Sequence, residues 1–327
     1  MTSSEGKMHA DEVDIDAALV RRMVAARFPQ WAGLPVEPVV SSGTSNAMFR
    51  LGTELVVRLP RIASAAEDVA KEQRWLPRLA PVLPVAVPAP LGVGGPVAGY
   101  PLPWSVLGWL DGANPVPGRP DEPELLARDL AAFTTALQRV DPTGGPASYR
   151  SETLAARDGG TRAAIAALAG VVPTGEVTSA WEAALRAPAH GGAPVWIHAD
   201  LQPGNLLVSA DGRLSAVIDF GCLGLGDPAV DLLAAWYVLP ATARDAFRAA
   251  VGADEAAWAR GRGWALSVAL MELSYYRETN PRMARTARYV IGEVLAERTA
   301  AARASAGHVP AGQAPADGSS AAGSRHS

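Results

Sequence analysis

Two apolar runs, each closing on an acid, most constrain how this chain folds. The first is "WIHADLQPGNLLV", Trp196 to Val208. The second, "RLSAVIDFG", reaches Asp219-Phe220-Gly221 nineteen residues after Asp200. Each run is short, apolar and bounded by turn residues, which reads as strand. Pro203-Gly204 supplies a turn that brings Asn205 back towards Asp200. The plain reading is a packed strand–turn–strand in which His198 and Asp200 satisfy each other. The other is that two carboxylates and an amide are held at strand ends to do chemistry.

The rest of the chain falls into two textures. Residues 1–12 read as a flexible leader. In "DIDAALVRRMVAARF", Asp14 or Asp16 can cap a helix whose apolar residues recur at helical spacing. "PVEPVVSSGTSNAMFRLGTELVVRLPR" breaks at Gly43 and Gly52 into three short antiparallel strands. "AEDVAKEQRWLPRLA" is helical, with Pro77 expected to end or kink it. "VAVPAPLGVGG" and "YPLPWSVLGWLDG" give two more strands, the second running into a linker at Asp111-Gly112. From Pro123 onward helices dominate around the two apolar runs, and 301–327, rich in Ala, Gly, Ser and Pro, reads as disordered. The expectation is an α+β chain with two lobes: a small antiparallel-sheet lobe over 13–110 and a larger, mostly helical lobe over 111–300.

Composition removes several function classes. A net charge of −4 gives no basic footprint for nucleic acid. The single cysteine, Cys222, excludes an internal disulfide and any Cys-based zinc cluster, and its default is a buried inert thiol. No apolar run reaches membrane-spanning length, so a cytoplasmic protein is expected. A G-x-x-x-x-G-K-[ST] phosphate loop and a dinucleotide-binding βαβ pattern are missing. The two lysines, Lys7 and Lys71, stand against abundant arginine.

His198-x-Asp200 with Asn205 has the H-x-D-x-x-x-x-N spacing of a kinase catalytic loop, and Asp219-Phe220-Gly221 follows it as a kinase metal motif would. In that chemistry Asp200 meets the acceptor hydroxyl, and the Asn205 amide oxygen and Asp219 carboxylate supply hard ligands to Mg²⁺. With "SSGTSNAMFRLG", "VVRLPR" and "VIDFGCLGLGDPAVDL", the chain resembles the aminoglycoside phosphotransferase family of the protein-kinase-like superfamily over roughly residues 35–300. The resemblance implies a two-lobed kinase fold and phosphorylation of a small-molecule hydroxyl by ATP or GTP, with Asp200 catalytic and Asn205 and Asp219 on metal. It also implies that Ser42, Gly43, Thr44, Ser45 and Asn46 cover the phosphates. Arg58 stands where the family has a phosphate-binding lysine, paired with Glu72 or, failing that, Glu67. The backbone of Ser105, Val106 and Leu107 would meet the purine edge.

His198 is expected to brace the loop. Asp231 would pin it, and Asp227 before Pro228 would start a helix. Trp236, Glu272, Tyr275, Tyr276 and Glu278 lie where family acceptor sites occur. Two departures stand out: Ala199 replaces the usual glycine, which suits a backbone without positive φ, and Gln202 replaces a frequent histidine. An acceptor of aminoglycoside, macrolide or nucleoside type would give resistance or self-protection. A metabolic kinase for a sugar, choline or homoserine is the first alternative, and a nucleotide-binding pseudokinase the second. Oligomeric state is not legible.

Overall fold

The computed structural model describes residues 14–39 and 45–307. Helix α1 (Ala17–Arg27) starts at Asp16, whose Oδ1 accepts from the Leu19 N–H at 2.7 Å, so the second of the two aspartates is the cap. Its buried face of Leu19, Val20, Met23 and Val24 packs on a five-stranded antiparallel sheet. The strands are β1 (Val36–Pro38), β2 (Asn46–Leu51), β3 (Leu55–Pro60), β4 (Pro90–Gly94) and β5 (Trp104–Gly108), in the order β1-β2-β3-β5-β4. All six residues of β3 are buried, as befits a strand covered on both faces. These are the five strands expected from the apolar runs.

Helix α2 (Ala66–Leu79) lies between β3 and β4 and runs past Pro77. Proline there falls in the last turn, where only the Gln73 carbonyl loses its partner, so the helix ends two residues later without a break. The core side of α2 belongs with the helical half: Trp75, Leu76 and Leu79 join its core, and Trp75 meets Trp196 with ring centroids 4.7 Å apart. The chain crosses between the halves at Gly112, whose φ of +143° and close approach to Leu207 leave no room for a Cβ.

Beyond the crossing come α3 (Pro123–Gln138), α4 (Leu154–Ala167), α5 (Thr174–Leu185), β6 (Val195–Ile197), β7 (Leu206–Val208), β8 (Leu214–Val217), β9 (Gly224–Gly226), α6 (Ala234–Tyr237), α7 (Ala241–Val251), α8 (Glu255–Tyr276) and α9 (Pro281–Gly307). The apolar runs form two small antiparallel pairs, β6 with β9 and β7 with β8. Trp181, Trp196, Trp236 and Trp264 are fully buried among the helices, and each large aromatic contributes on the order of 2–3 kcal/mol of apolar burial. Helix α9 continues to Gly307, seven residues into the stretch expected to lack structure, because its alanines extend a helix already docked on α8. Residues 1–13 and 308–327, which hold the expected leader and the rest of the tail, lie outside the described residues. Among the described residues no helix is long and apolar enough to cross a membrane.

Candidate active site

The loop after β6 is built around His198, which is fully buried with its ring edge-on to Phe220 at 4.7 Å. Its Nδ1 accepts from the Asp200 N–H at 3.2 Å, so Nε2 carries the proton and donates to the Ile218 carbonyl at 3.1 Å. Burial lowers the imidazole pKa and keeps it neutral. His198 thus ties the two acid-bearing segments together, the bracing role read from the sequence. Asp231 follows Asp227, whose Oδ1 accepts from the Ala229 N–H at 2.9 Å and caps the turn. Asp231 accepts from the His198 and Ala199 N–H groups at 2.9 and 2.7 Å. Burial pushes its carboxyl up to about 7 against the pull of those two donors.

Those bonds hold Ala199 at φ +67°, the left-handed region. The family glycine is therefore replaced by a residue that carries a strain of roughly 1–2 kcal/mol there. The departure does not remove the need for positive φ; the surrounding bonds impose it.

Asp200 emerges from this loop with both oxygens engaged. Oδ1 accepts from Arg150 Nη1 and Gln202 Nε2, each at 3.0 Å, and Oδ2 accepts from Asn205 Nδ2 at 2.8 Å. With its nitrogen spent there and on the Asp200 carbonyl, Asn205 leaves its amide oxygen without a hydrogen bond among the described residues. Asp219 also sits at positive φ, +60°, with its side chain 40% exposed towards the cleft. Its Oδ1 meets Arg58 Nη2 at 3.0 Å and its Oδ2 accepts nothing among the described residues.

Arg58, buried on β3, donates from Nη1 to both Glu72 oxygens at 2.5 and 2.6 Å. The pair read from the sequence is Glu72 on α2, and Glu67 only lines the cleft. With the Asn46 amide turned to face it, the Asn46 oxygen accepts from Arg58 Nε and Nη2 at 3.1 and 3.0 Å. Burial opposes the Arg58 charge, but the Glu72 and Asp219 carboxylates outweigh it and raise the guanidinium pKa. Helix α2 also fixes the Asp219 turn directly. Glu72 accepts from the Phe220 N–H at 3.0 Å, and Lys71 donates to the Gly221 carbonyl while paired with Asp68.

Arg58, Lys71, Asp200, Gln202, Asn205 and Asp219 line one cleft of about 1280 Å³ between sheet and helices. Ser45 and Asn46 reach it from the sheet side; Ser42, Gly43 and Thr44 lie outside the described residues. The purine-edge segment needs correction. Ser105 and Val106 are buried in β5, paired on one side with β3 and on the other with β4. Their backbone groups serve the sheet, and of the three residues only Leu107 lines the cleft. Trp109 and Leu110, beyond the strand, also line the cleft at this edge.

The acceptor candidates divide. Glu272 and Tyr276 line the cleft. Trp236 does not: it is fully buried, with Nε1 donating to Glu297 at 2.7 Å, a core residue whose aromatic spacing reflects packing. Tyr275 is turned to the surface, 57% exposed, stacked edge-on with Tyr276. Glu278 is not among the cleft residues either. Two residues that the sequence did not flag, Tyr237 and Arg150, act here beside Gln202. Tyr237 donates to Glu272 at 2.8 Å, Gln202 donates to it at 2.6 Å, and Arg150 holds Asp200. Burial drives the Cys222 thiol up to about 12, which leaves it inert at neutral pH.

Glu272 makes one prediction. Burial, then the nearby Asp200 charge, pushes its carboxyl up to about 7 from the ordinary 4.5. The fold therefore favours the protonated form; that stability is whole below about 4.5 and is lost as pH rises through about 7. Glu272→Gln removes this titration, so its stability should fall less than the wild type's between those values, by up to about 3 kcal/mol. Parallel melting curves of the two proteins against pH make the comparison; identical slopes would show Glu272 to be ionised in the fold throughout.

Among the described residues no three His, Cys, Asp or Glu side chains converge to hold a metal by themselves. The two open oxygens, on Asn205 and Asp219, are hard donors of the kind Mg²⁺ takes when phosphate oxygens complete its shell. The donor set fits a metal brought with a polyphosphate.

Solved structures share this architecture. The chain is 19% identical to aminoglycoside 2'-phosphotransferase-IIIa in its GDP complex, with 87% of this chain and 100% of that one covered at a TM-score of 0.67. It is 22% identical to the macrolide 2'-phosphotransferase MphH from Brachybacterium faecium, covering 84% and 97% at a TM-score of 0.55. A type I macrolide 2'-phosphotransferase aligns at 18% identity, covering 85% and 98% at a TM-score of 0.60. These likenesses are of fold. A search of curated proteins gave no match. The family model for the phosphotransferase enzyme family matches residues 37–264, which take in the sheet, the Arg58–Glu72 pair and both acid-bearing loops, and the chain belongs to that family.

Proposed function

We propose that this phosphotransferase moves the γ-phosphate of ATP or GTP to a hydroxyl of an antibiotic-like small molecule. The observation that carries it is the convergence of Asp200, Asn205, Asp219 and Arg58 on one cleft. Arg58, aimed by Glu72 and Asn46, orients the donor phosphates, with Ser45 at the cleft rim. Asn205 and Asp219 would hold Mg²⁺, which supplies charge neutralisation on the phosphates when bound. Asp200 aligns the acceptor hydroxyl and takes its proton. The acceptor oxygen bonds to Pγ as the bond to the bridging oxygen breaks, and that electron pair leaves on the nucleoside diphosphate.

The acceptor end favours a weakly charged, largely apolar molecule of macrolide type over a polycationic aminoglycoside. It is lined by Pro146, Tyr149, Tyr276 and Met283, with Arg150 and Arg282. Its carboxylate besides Asp200, Glu272, is already engaged by Gln202 and Tyr237. A polycation would find little to pair with there. Such an activity would serve resistance or self-protection.

The test is transfer of labelled γ-phosphate from ATP and GTP to a panel of macrolides, aminoglycosides, nucleoside antibiotics, sugars, choline and homoserine. Label should appear on a macrolide-type acceptor. Label only on a sugar, choline or homoserine would make this a metabolic kinase, and nucleotide binding without transfer would make it a pseudokinase.

Arg58→Ala should raise nucleotide KM and lower kcat, together by about 10²-fold, the range for one lost phosphate-stabilising donor. Arg58→Lys keeps the charge but cannot span Glu72, Asp219 and Asn46 as the fork does, so it should fall between. Wild-type kinetics in Arg58→Ala would assign the phosphates to another cation.

A further inference from the structure

Arg150 has no place in the motifs, yet it is the cation nearest the reacting carboxylate. It lies in the loop before α4, its side chain 10% exposed. Of its side-chain nitrogens, Nη1 alone is hydrogen-bonded among the described residues, to the Ala199 carbonyl and to Asp200 Oδ1 at 3.0 Å. Nε and Nη2 have no acceptor among the described residues, and the side chain lines the cleft. The surrounding anionic groups, Asp200 foremost, outweigh burial and keep the guanidinium charged. The guanidinium is thus held through one nitrogen and presents its other three N–H donors to the cleft, where anionic oxygens can take them.

What meets them follows from the charge around the cleft. Phosphoryl transfer spreads negative charge over three equatorial oxygens and needs donors already aimed at them. The loop around Asp200 offers the neutral amides of Gln202 and Asn205, whose nitrogens are spent on Asp200 and Glu272. Arg58, held by Glu72, Asp219 and Asn46, serves the donor phosphates from the sheet side, and Lys71 is taken up by Asp68 and the Gly221 carbonyl. The phosphoryl group must pass beside Asp200, because the acceptor hydroxyl lies between them. A guanidinium 3.0 Å from that carboxylate, with open donors, is within reach of its equatorial oxygens.

We infer that Arg150 is a further catalytic residue: Nη1 fixes Asp200, and Nε and Nη2 bind the phosphoryl group during transfer. The inference rests on the phosphotransferase reading of the cleft. The acceptor oxygen–Pγ bond forms, the Pγ–bridging oxygen bond breaks with its electron pair leaving on the diphosphate, and the hydroxyl proton goes to Asp200. Arg150 gives and takes no proton; it stabilises charge.

A residue that only pinned the loop would affect every ligand alike. The experiment therefore compares two ligands on the full chain: a non-hydrolysable nucleoside triphosphate with Mg²⁺, and ADP or GDP with Mg²⁺ and aluminium fluoride, which mimics the phosphoryl group in flight. Arg150→Ala should weaken the aluminium fluoride complex about 10²-fold, leave triphosphate affinity within about threefold, and lower kcat in parallel, with added guanidinium restoring part of it. Arg150→Lys, which keeps a charge and a loop contact, should lie between and carries the comparison if Arg150→Ala does not fold. Equal weakening of both ligands, or wild-type affinity for the fluoride complex in a folded variant, would overturn the assignment and leave the phosphotransferase reading standing. A wild type that binds neither ligand would overturn both.

Discussion

Asp200→Ala should lower kcat by about 10²–10⁴, the range for losing a positioned general base, with nucleotide affinity little changed. The asymmetry follows from where the carboxylate points. It is held by Arg150, Gln202 and Asn205, while the groups proposed to meet phosphate and metal, Arg58 and Asp219, lie on other elements. Alanine also strips Arg150 of its counter-charge, so the isosteric Asp200→Asn should be measured beside it; it keeps the shape and removes the base. Wild-type turnover in both variants would take Asp200 out of the mechanism.

Asp219→Asn should cut Mg²⁺-dependent turnover by about 10³, since losing a metal-bound carboxylate forfeits several kcal/mol of charge stabilisation. Here the Mg²⁺ dependence of nucleotide binding should shift to higher concentration as well, which separates it from Asp200→Ala. Asn205→Ala should act in the same direction but more weakly, because its oxygen is neutral. Replacing the carboxylate by an amide also removes the ion pair that Asp219 makes with Arg58 at 3.0 Å. Unchanged Mg²⁺ titrations in both variants would remove these two residues as ligands.

Much of this site was legible because its spacing is local. His198, Asp200 and Asn205 lie within one loop, and Asp231 reaches that loop from the turn started by Asp227-Pro228, so pattern carried their placement. The five strands were legible because β2 and β3 are short, mostly apolar runs separated at Gly52, which adopts φ +62° at the turn. Arg150 was not legible. It meets Asp200 across 50 residues of chain, and one arginine among many in a loop carries no periodic signal. Trp236 misleads for the opposite reason: aromatic spacing on a helix looks the same whether the ring faces a ligand or Glu297. The resemblance puts Ser105 and Val106 on the cleft, but sequence does not show which of a strand's two edges is open, and β5 is flanked on both. The demand for positive φ at Ala199 arises from the two bonds to Asp231, a tertiary cause that no local propensity reports.

The central claim, that this cleft transfers phosphate to a carbon-bound hydroxyl, is tested most directly by phosphorus NMR. The wild-type chain is incubated with Mg²⁺, ATP or GTP and the acceptor that takes label. A phosphomonoester resonance should grow in step with the nucleoside diphosphate, and Asp200→Asn, binding nucleotide normally, should give neither. Diphosphate appearing with free phosphate and no ester, or ester forming equally in Asp200→Asn, would contradict the account.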